Sequence, residues 1–260
     1  MDRRIFLASV TALAVGSDTS GMAAAEAPGN GATDRPVIRA IAFDGFPIID
    51  PTPIGTRAET MFPGRGGALL NAWRTRQFEY TWLRTLGGAY VDFWQVTGEA
   101  LAFAASSLGL SLTGAERDRL MQTYLELKAW DDVRPALEVL KKAGIRMVFL
   151  SNFTAAMLDA AVRNAGLQGF FEEHLSTDRV RAFKPDRRAY QMGVQAFGAP
   201  RAQIVFCAAA GWDVAGAKWF GYRTFWLNRA SQPREELGPR ADAEGTGMAD
   251  LVKFVRANTG

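Results

Sequence analysis

The chain has 260 residues, of which 48% are hydrophobic and 22% are charged. This is ordinary globular composition, and the length suits one large domain or a core with a smaller companion, so the disordered and fibrous classes are excluded. The formal net charge is only +3, and the arginines are dispersed rather than gathered into a run with interleaved aromatic residues, which argues against nucleic acid as a partner.

The N-terminus has the layout of an export signal. A pair of arginines, Arg3 and Arg4, precedes a short run of mostly apolar residues, and an alanine-rich stretch follows as a cleavage region. This layout resembles a twin-arginine signal, and the run is shorter than the roughly 20 apolar residues that a membrane span needs. We therefore predict a signal over residues 1–27, a linker over 28–35 and a periplasmic location. The alternative is a frayed amphipathic N-terminus.

The next stretch predicts a buried strand that ends in a carboxylate. Residues 37–43 are almost continuously apolar, which is the pattern of a parallel strand covered on both faces. Asp44 follows, and Gly45 and Pro47 then end the strand. A carboxylate at this end of a central parallel strand lies where open α/β sheets place their ligands. An equally good interpretation at this point is that Asp44 caps the next segment or opens a turn.

Helical patterns follow a proline-rich connector. Residues 68–86 and 90–108 carry apolar side chains near helical spacing, and Thr113 with Glu116 has the form of a capping box that opens a third helix. Three helices with no strand between them predict a helical subdomain, inserted after the first strand and spanning residues 53–130.

The second half of the chain alternates between helical patterns and short apolar strands. The strand-like runs are residues 145–150, 204–207 and 222–227. Strands that alternate with helices of this length predict a right-handed, doubly wound parallel sheet. We therefore predict an α/β fold whose core comprises residues 36–52 and 131–260, with the helical insertion as a cap.

Polar side chains follow successive strands of this predicted sheet. Asp44 follows the first strand, Ser151 and Asn152 follow the second, and Lys184 and Asp213 lie in later loops. Because the carboxyl ends of parallel strands face the same crevice, we expect these groups to converge. A lysine between two carboxylates would favour their charged forms, and an ionised Asp44 is a nucleophile. Taken singly, Lys184 is more often a solvated loop charge and Ser151 a helix entry.

With these residues in place, the chain resembles the haloacid dehalogenase superfamily and, within it, the hydrolytic L-2-haloacid dehalogenases. The motifs that carry the resemblance are Leu150-Ser151-Asn152, Lys184-Pro185-Asp186, Trp212-Asp213 and the long stretch from Trp73 to Arg84. The resemblance implies a Rossmann-like core with a helical cap, a small 2-haloacid as the partner, and neither a cofactor nor a metal. It also implies a homodimer, which the residues themselves do not indicate.

The resemblance also implies a role for each catalytic residue. Asp44 would attack the halogen-bearing carbon of an (S)-2-haloacid and release halide, and hydrolysis of the resulting ester would give the (R)-2-hydroxyacid. Lys184 would hold Asp44 ionised, Ser151 would bind the substrate carboxylate, and Asp213 would help to activate the water. Tyr190 matches another active-site position of the family.

The halide is assigned by the resemblance to Arg74 and Asn152, with apolar side chains as walls. Helical spacing supports Arg74 independently, because residues four apart share a face and Phe78 lies beside it. A guanidinium on an aromatic face suits a partly desolvated anion, whereas an arginine that snorkels over Phe78 is the alternative. The predicted substrate and halide site comprises Arg74, Asn152, Phe46, Phe78, Phe93 and Trp212.

The chain also departs from the patterns of the superfamily. Phe46 stands where its phosphatases carry a proton-transferring aspartate, and Asp213 has only alanines, a glycine and a tryptophan before it, which disfavours a magnesium site. Ala208 and Ala210 replace a serine and an asparagine of the dehalogenases, and Ile48 replaces a threonine. Three functions stay open: a 2-haloacid dehalogenase, a related hydrolase with a different substrate, or a periplasmic anion-binding protein without turnover.

Overall fold

The computed structural model describes residues 37–259, and its centre is a parallel sheet. The strands are β1 (Ala40–Phe43), β2 (Arg146–Ser151), β3 (His174–Ser176), β4 (Ile204–Ala208), β5 (Arg223–Leu227) and β6 (Ala243–Gly245). All neighbouring pairs are parallel, in the order β3-β2-β1-β4-β5-β6. The strand order reverses between β1 and β4, which is where sheets of this kind form a crevice for ligands. The predicted doubly wound α/β fold is confirmed.

Helices cover both faces of this sheet. They are α1 (Gly45–Ile48), α2 (Thr52–Met61), α3 (Gly66–Leu86), α4 (Phe93–Ser107), α5 (Gly114–Glu126), α6 (Val133–Lys142), α7 (Ala155–Asn164), α8 (Arg187–Phe197), α9 (Gly211–Phe220) and α10 (Met248–Arg256). Alternate residues of β1 enter different cores, since Ile41 and Phe43 pack in one and Ala40 and Ala42 in the other. Among the described helices, none is long and apolar enough to cross a membrane.

The helices α2 to α5 form an insertion that leaves and rejoins the core at one point. Ile49 and Ala129 form an antiparallel bridge, and the backbone N–H of Asp50 donates to the carbonyl of Lys128 at 2.9 Å. This short ladder holds the two ends of the insertion together beside the carboxyl end of β1. It agrees with a helical cap over residues 53–130, although the division into core and cap stays a prediction.

Local signals gave most element boundaries, and tertiary context decided the others. Val37 is 38% exposed, because the first strand begins only at Ala40. The proline-rich connector contains α1 and the start of α2. Helix α2 tolerates Pro53 because this proline lies in its first turn, where the missing N–H costs no hydrogen bond. The short edge strands β3 and β6 were not predicted. The predicted signal and linker, residues 1–35, lie outside the described residues.

Gly216, in the middle of α9, allows this helix to approach the loop and helix beside it. A Cβ atom at Gly216 would lie 2.5 Å from the hydroxyl oxygen of Tyr190 and 2.7 Å from Cβ of Pro185. Contacts this short would push the side chains apart. Gly98, in the middle of α4, is a matched contrast, because the nearest atom to its Cβ would be Cε of Met121 at 3.7 Å.

We therefore expect Gly216→Ala to lower the free energy of unfolding by about 1–3 kcal/mol, the usual cost of overpacking. Gly98→Ala should be neutral or stabilising by up to about 1 kcal/mol, because alanine is the better helix former. Urea unfolding of both variants measures the difference. Equal effects at the two positions would contradict the close approach of α9.

Candidate active site

Asp44 lies at the carboxyl end of β1, next to the reversal of strand order. Its Oδ2 accepts a long 3.4 Å hydrogen bond from the backbone N–H of Phe46, so that it caps α1. Its Oδ1 accepts hydrogen bonds from Nζ of Lys184 at 2.7 Å and from Oγ of Ser151 at 3.4 Å. The two interpretations of Asp44 are therefore compatible, because one oxygen caps the turn while the other faces the lysine.

The ammonium of Lys184 bridges two carboxylates in the protein interior. Its Nζ lies 2.7 Å from Oδ1 of Asp44 and 2.5 Å from Oδ2 of Asp213. The side chains of Lys184 and Asp213 are 1% and 2% exposed, whereas that of Asp44 is 14% exposed. A buried charge is tolerated only when it is paired. Of the three groups, Asp44 is thus the one that a small molecule can reach.

Burial and the opposite charges have opposing effects on the pKa values of Lys184 and Asp213. Burial raises the pKa of Asp213 to about 6, and the charge of Asp44 adds to the rise, while the attraction of Lys184 opposes it. Burial also opposes the charge on Lys184, but the two carboxylates outweigh it and the pKa of the lysine is raised. The expectation that one lysine keeps both carboxylates firmly ionised is therefore too simple for Asp213, because its complete burial was not visible in the sequence.

Tyr190, on α8, completes the surroundings of Asp213. Its hydroxyl donates to Oδ1 of Asp213 at 2.6 Å. Burial, followed by the charge of Asp213, raises the pKa of Tyr190 well above its ordinary value, so the hydroxyl remains a donor. Both oxygens of Asp213 consequently have a donor, and the carboxylate is held in one orientation.

Ser151 and Asn152, at the end of β2, contact Asp44 and the backbone of Lys184. Oγ of Ser151 accepts a 3.2 Å hydrogen bond from the backbone N–H of Phe153 in addition to its contact with Asp44. Oδ1 of Asn152 accepts from the backbone N–H of Lys184 at 3.0 Å. The asparagine therefore fixes the loop of the lysine through its carbonyl oxygen, and no described group accepts a hydrogen bond from its Nδ2.

Arg74, on α3, lies over the aromatic ring of Phe46, close to Asp44 in the chain. Its guanidinium carbon is 5.5 Å from the ring centroid of Phe46, two residues after Asp44. Phe78, which helical spacing places on the same face of α3, stacks on Trp82 four residues further along the helix. No described carboxylate or carbonyl accepts a hydrogen bond from Arg74, so its donors are free for an anion.

Aromatic rings line the surroundings of these charged groups. Phe46 contacts Phe153 edge-on at 5.3 Å between centroids, and Phe93 contacts the same ring at 5.6 Å. Phe78 contacts Trp212 at 5.2 Å, which joins the cap helix α3 to α9. Sequence reasoning missed Phe153, although its position directly after the polar pair at the end of β2 was the available signal.

The first turn of α9 contributes few polar groups. Ala210 occupies the N-cap position and provides no side-chain hydrogen bond, and the last residue of β4 is Ala208. Asp213 is therefore the acidic residue in this turn.

Comparison with known proteins assigns the chain to a family. A sequence model described as haloacid dehalogenase-like hydrolase matches residues 10–221. The (S)-2-haloacid dehalogenase of Pseudomonas sp. (strain YL) is 39% identical over 224 residues, covering 86% of this chain and 97% of the relative. Haloacetate dehalogenase H-2 of Moraxella sp. (strain B) is 39% identical over 219 residues, covering 84% and 98%.

Solved structures agree with this assignment. The L-2-haloacid dehalogenase from Xanthobacter autotrophicus with chloropropionic acid covalently bound superimposes with a TM-score of 0.78 at 32% identity, covering 84% of this chain and 98% of that one. The chain belongs to the haloacid dehalogenase-like hydrolase family.

Loss of the bridging ammonium should destabilise the fold in a pH-dependent way. Lys184→Met leaves two neighbouring carboxylates uncompensated, and we expect it to cost about 3–5 kcal/mol at pH 7.5. Because the pKa of Asp213 is raised on folding, the folded state takes up its proton more readily than the unfolded state does. The contribution of Asp213 to the free energy of unfolding therefore falls as the pH rises from about 4 to about 6.

Without Lys184, the pH range over which Asp213 lowers stability extends to higher pH. The loss of stability caused by Lys184→Met should therefore be smaller at pH 5 than at pH 7.5. Urea unfolding at the two pH values measures it. Lys218→Met is the control, since Lys218 pairs with Asp242 at the surface and should change stability by no more than about 1 kcal/mol. A deficit for Lys184→Met that is independent of pH would contradict the described charge balance.

Proposed function

We propose that this protein hydrolyses short-chain (S)-2-haloacids to (R)-2-hydroxyacids and halide, through an ester on Asp44. The observation that carries the proposal is the buried ammonium of Lys184 between Asp44 and Asp213, with Asp44 as the accessible carboxylate. The relatives named (S)-2-haloacid dehalogenase and haloacetate dehalogenase support the substrate class.

In the first step an oxygen of Asp44 attacks carbon 2 of the haloacid. The new carbon–oxygen bond forms as the carbon–halogen bond breaks, and the halide leaves with the bonding electron pair from the opposite face. Oδ2 is the freer oxygen, because its contact with Phe46 N is long, at 3.4 Å, whereas Oδ1 is held by Lys184. The structure with covalently bound chloropropionic acid supports an ester intermediate.

The substrate carries two groups that need polar contacts. We assign the halide to the guanidinium of Arg74 above Phe46 and to Nδ2 of Asn152, neither of which has another acceptor among the described residues. The substrate carboxylate is assigned to Ser151. Aromatic neighbours lower the local polarity, which strengthens the attraction between an arginine and a leaving anion. Phe93 and Trp212 supply apolar walls.

In the second step water attacks the carboxyl carbon of the ester, and the bond between this carbon and the ester oxygen breaks. The ester oxygen leaves as the hydroxyl of the 2-hydroxyacid after taking the proton that Asp213 accepted from the water, and Asp44 returns to a carboxylate by releasing its own proton to solvent. The water loses a proton as it attacks, and Asp213 is the base that we assign to accept it. A base is most effective when its pKa lies near the working pH, and the pKa of Asp213 is about 6. Tyr190 and Lys184 keep this carboxylate oriented through hydrogen bonds of 2.6 and 2.5 Å.

Halide release tests the proposal directly. Purified protein with (S)-2-chloropropionate should release chloride and form (R)-lactate, and Asp44→Asn should abolish both because the amide is not a nucleophile. Asp118→Asn, which alters a surface carboxylate paired with Arg117, should leave the rate unchanged. Absence of chloride release by the unmodified protein at high enzyme concentration would refute the proposal.

Intact-mass spectrometry during the same reaction separates the alternatives. Ala208 and Ala210 leave little beside Asp213 to position the water, so the ester should be detectable on Asp44 and should then clear. An ester that never clears would indicate a stalled second step. Binding without an ester would favour an anion-binding protein, and turnover of other substrates in a screen of haloacids and phosphate esters would favour a related hydrolase.

The pH profile should report on Asp213. Below pH 6 its carboxylate takes up a proton and can no longer accept one from water, so kcat should fall about tenfold for each unit below an apparent pKa near 6. Steady-state rates with saturating (S)-2-chloropropionate from pH 4.5 to 8 measure this limb. A constant rate down to pH 5 would contradict the role of Asp213 as the base.

We propose that residues 1–27 are a twin-arginine signal and that the mature protein is periplasmic; the sequence pattern supports this. Replacement of Arg3 and Arg4 by lysine should leave the full-length protein in the cytoplasmic fraction, whereas the unaltered protein should appear, shortened, in the periplasm. An unchanged distribution between fractions would refute this export signal.

A homodimer also stays a prediction. Sedimentation of the mature protein would measure its oligomeric state.

A further inference from the structure

The loop that carries Lys184 is held against the helical cap. Between β3 and α8, the backbone N–H of Phe183 donates to Oγ1 of Thr85, near the end of α3, at 3.0 Å. The ring of Phe183 also lies on the ring of Tyr90, with 4.7 Å between centroids. Residue 183 is therefore fixed from the cap side immediately before the lysine.

Tyr90 contacts this loop at two further points. Its hydroxyl donates to Oδ1 of Asp178, where the loop begins. The guanidinium of Arg181 lies 5.2 Å from the centroid of the Tyr90 ring, and its Nη2 donates to the carbonyl of Tyr90 at 3.3 Å. Burial, followed by its bond to Asp178, raises the pKa of Tyr90, so its hydroxyl stays a donor at any physiological pH.

The backbone of the loop is unusual where it meets Tyr90. Arg181 has φ of +48°, in the left-handed region that residues other than glycine rarely adopt. Such a conformation persists when surrounding contacts hold it. The backbone N–H of Arg181 donates to the carbonyl of Asp178 at 3.4 Å, and the two described contacts of its side chain are both with Tyr90. The shape of the loop therefore depends on a side chain of the cap.

On the other side, the loop is held by the core. The backbone N–H of Lys184 donates to Oδ1 of Asn152 at 3.0 Å, and the lysine side chain is 1% exposed. Cap and core thus hold successive residues of the same loop. A displacement of Phe183 would move the backbone from which the ammonium reaches Asp44 and Asp213.

We propose that Tyr90 is a positioning residue for the reaction: its contacts with Asp178, Arg181 and Phe183 set the ammonium of Lys184 between Asp44 and Asp213. The helical cap then contributes to the charge balance of the site in addition to covering it. The kinetic part of this inference rests on the proposed function. The structural part does not, because it concerns only where the lysine lies.

Tyr90→Leu tests the inference by removing the hydroxyl and the aromatic face while retaining an apolar side chain. A displaced ammonium would attract Asp213 less, so the midpoint of its titration should rise above the value near 6. The groups that face Asp213 are Lys184, Asp44 and Tyr190, and only the first is connected to Tyr90 through the loop. The pH below which kcat falls should rise together with this midpoint. In addition, kcat itself should fall about tenfold or more.

Tyr80→Leu is the matched control. Tyr80, on α3, also has an arginine near its ring, Arg76 at 5.7 Å, and a phenylalanine ring, Phe103 at 6.3 Å. These partners belong to the cap alone, so the control should keep the wild-type titration midpoint even if it loses comparable stability. Tyr90→Phe, which loses the bond to Asp178 and keeps the ring, should shift the midpoint less than Tyr90→Leu.

Nuclear magnetic resonance of protein labelled with carbon-13 in its aspartate carboxylates gives the midpoint without turnover, with Asp213→Asn identifying the signal. A raised midpoint for Tyr90→Leu supports the inference even if no halide is released, in which case only the proposed function fails. An unchanged midpoint for Tyr90→Leu overturns it. If that variant does not fold, Tyr90→Phe, which removes the hydroxyl that donates to Asp178, should still raise the midpoint, and an unchanged value there overturns the inference equally.

Discussion

The structure depends on one ammonium group shared by two carboxylates inside the protein. With two negative charges and one positive charge, the cluster formed by Asp44, Lys184 and Asp213 cannot be neutral while all three groups are ionised. The excess negative charge lies where burial is less complete, at Asp44, whose side chain is 14% exposed. Of the two carboxylates, Asp44 is therefore the one that keeps contact with solvent.

Parallel strands bring most of this cluster together, but they do not position all of it. Asp44 follows β1 directly and Asp213 lies in the first turn of the helix after β4, and these two strands are adjacent in the sheet. Lys184 lies eight residues beyond the end of β3, in a loop that the sheet does not hold. Its position depends on Asn152 from the core and on contacts from the cap.

Features that depend on nearby residues could be predicted from the sequence, and those that depend on distant contacts could not. The capping box of Thr113 and Glu116 formed as expected because both partners lie within one turn. The contact of Arg74 with Phe46 was not predicted, because the two residues are far apart in the sequence and only the fold brings them together. The raised pKa of Asp213 was also missed, since residue order gives the charge of its neighbours but not the depth of burial.

The two half-reactions make opposite demands on the same lysine. In the proposed reaction, attack on the haloacid requires Asp44 to be charged, which a close ammonium favours. Removal of a proton from water by Asp213 requires that carboxylate to be basic, which a close ammonium opposes. Burial resolves this conflict, because it raises the pKa of Asp213 to about 6 while Asp44 stays more exposed. A more exposed Asp213 would be a weaker base, and without Lys184 its pKa would rise further. The different depths of the two carboxylates thus allow one lysine to serve both steps.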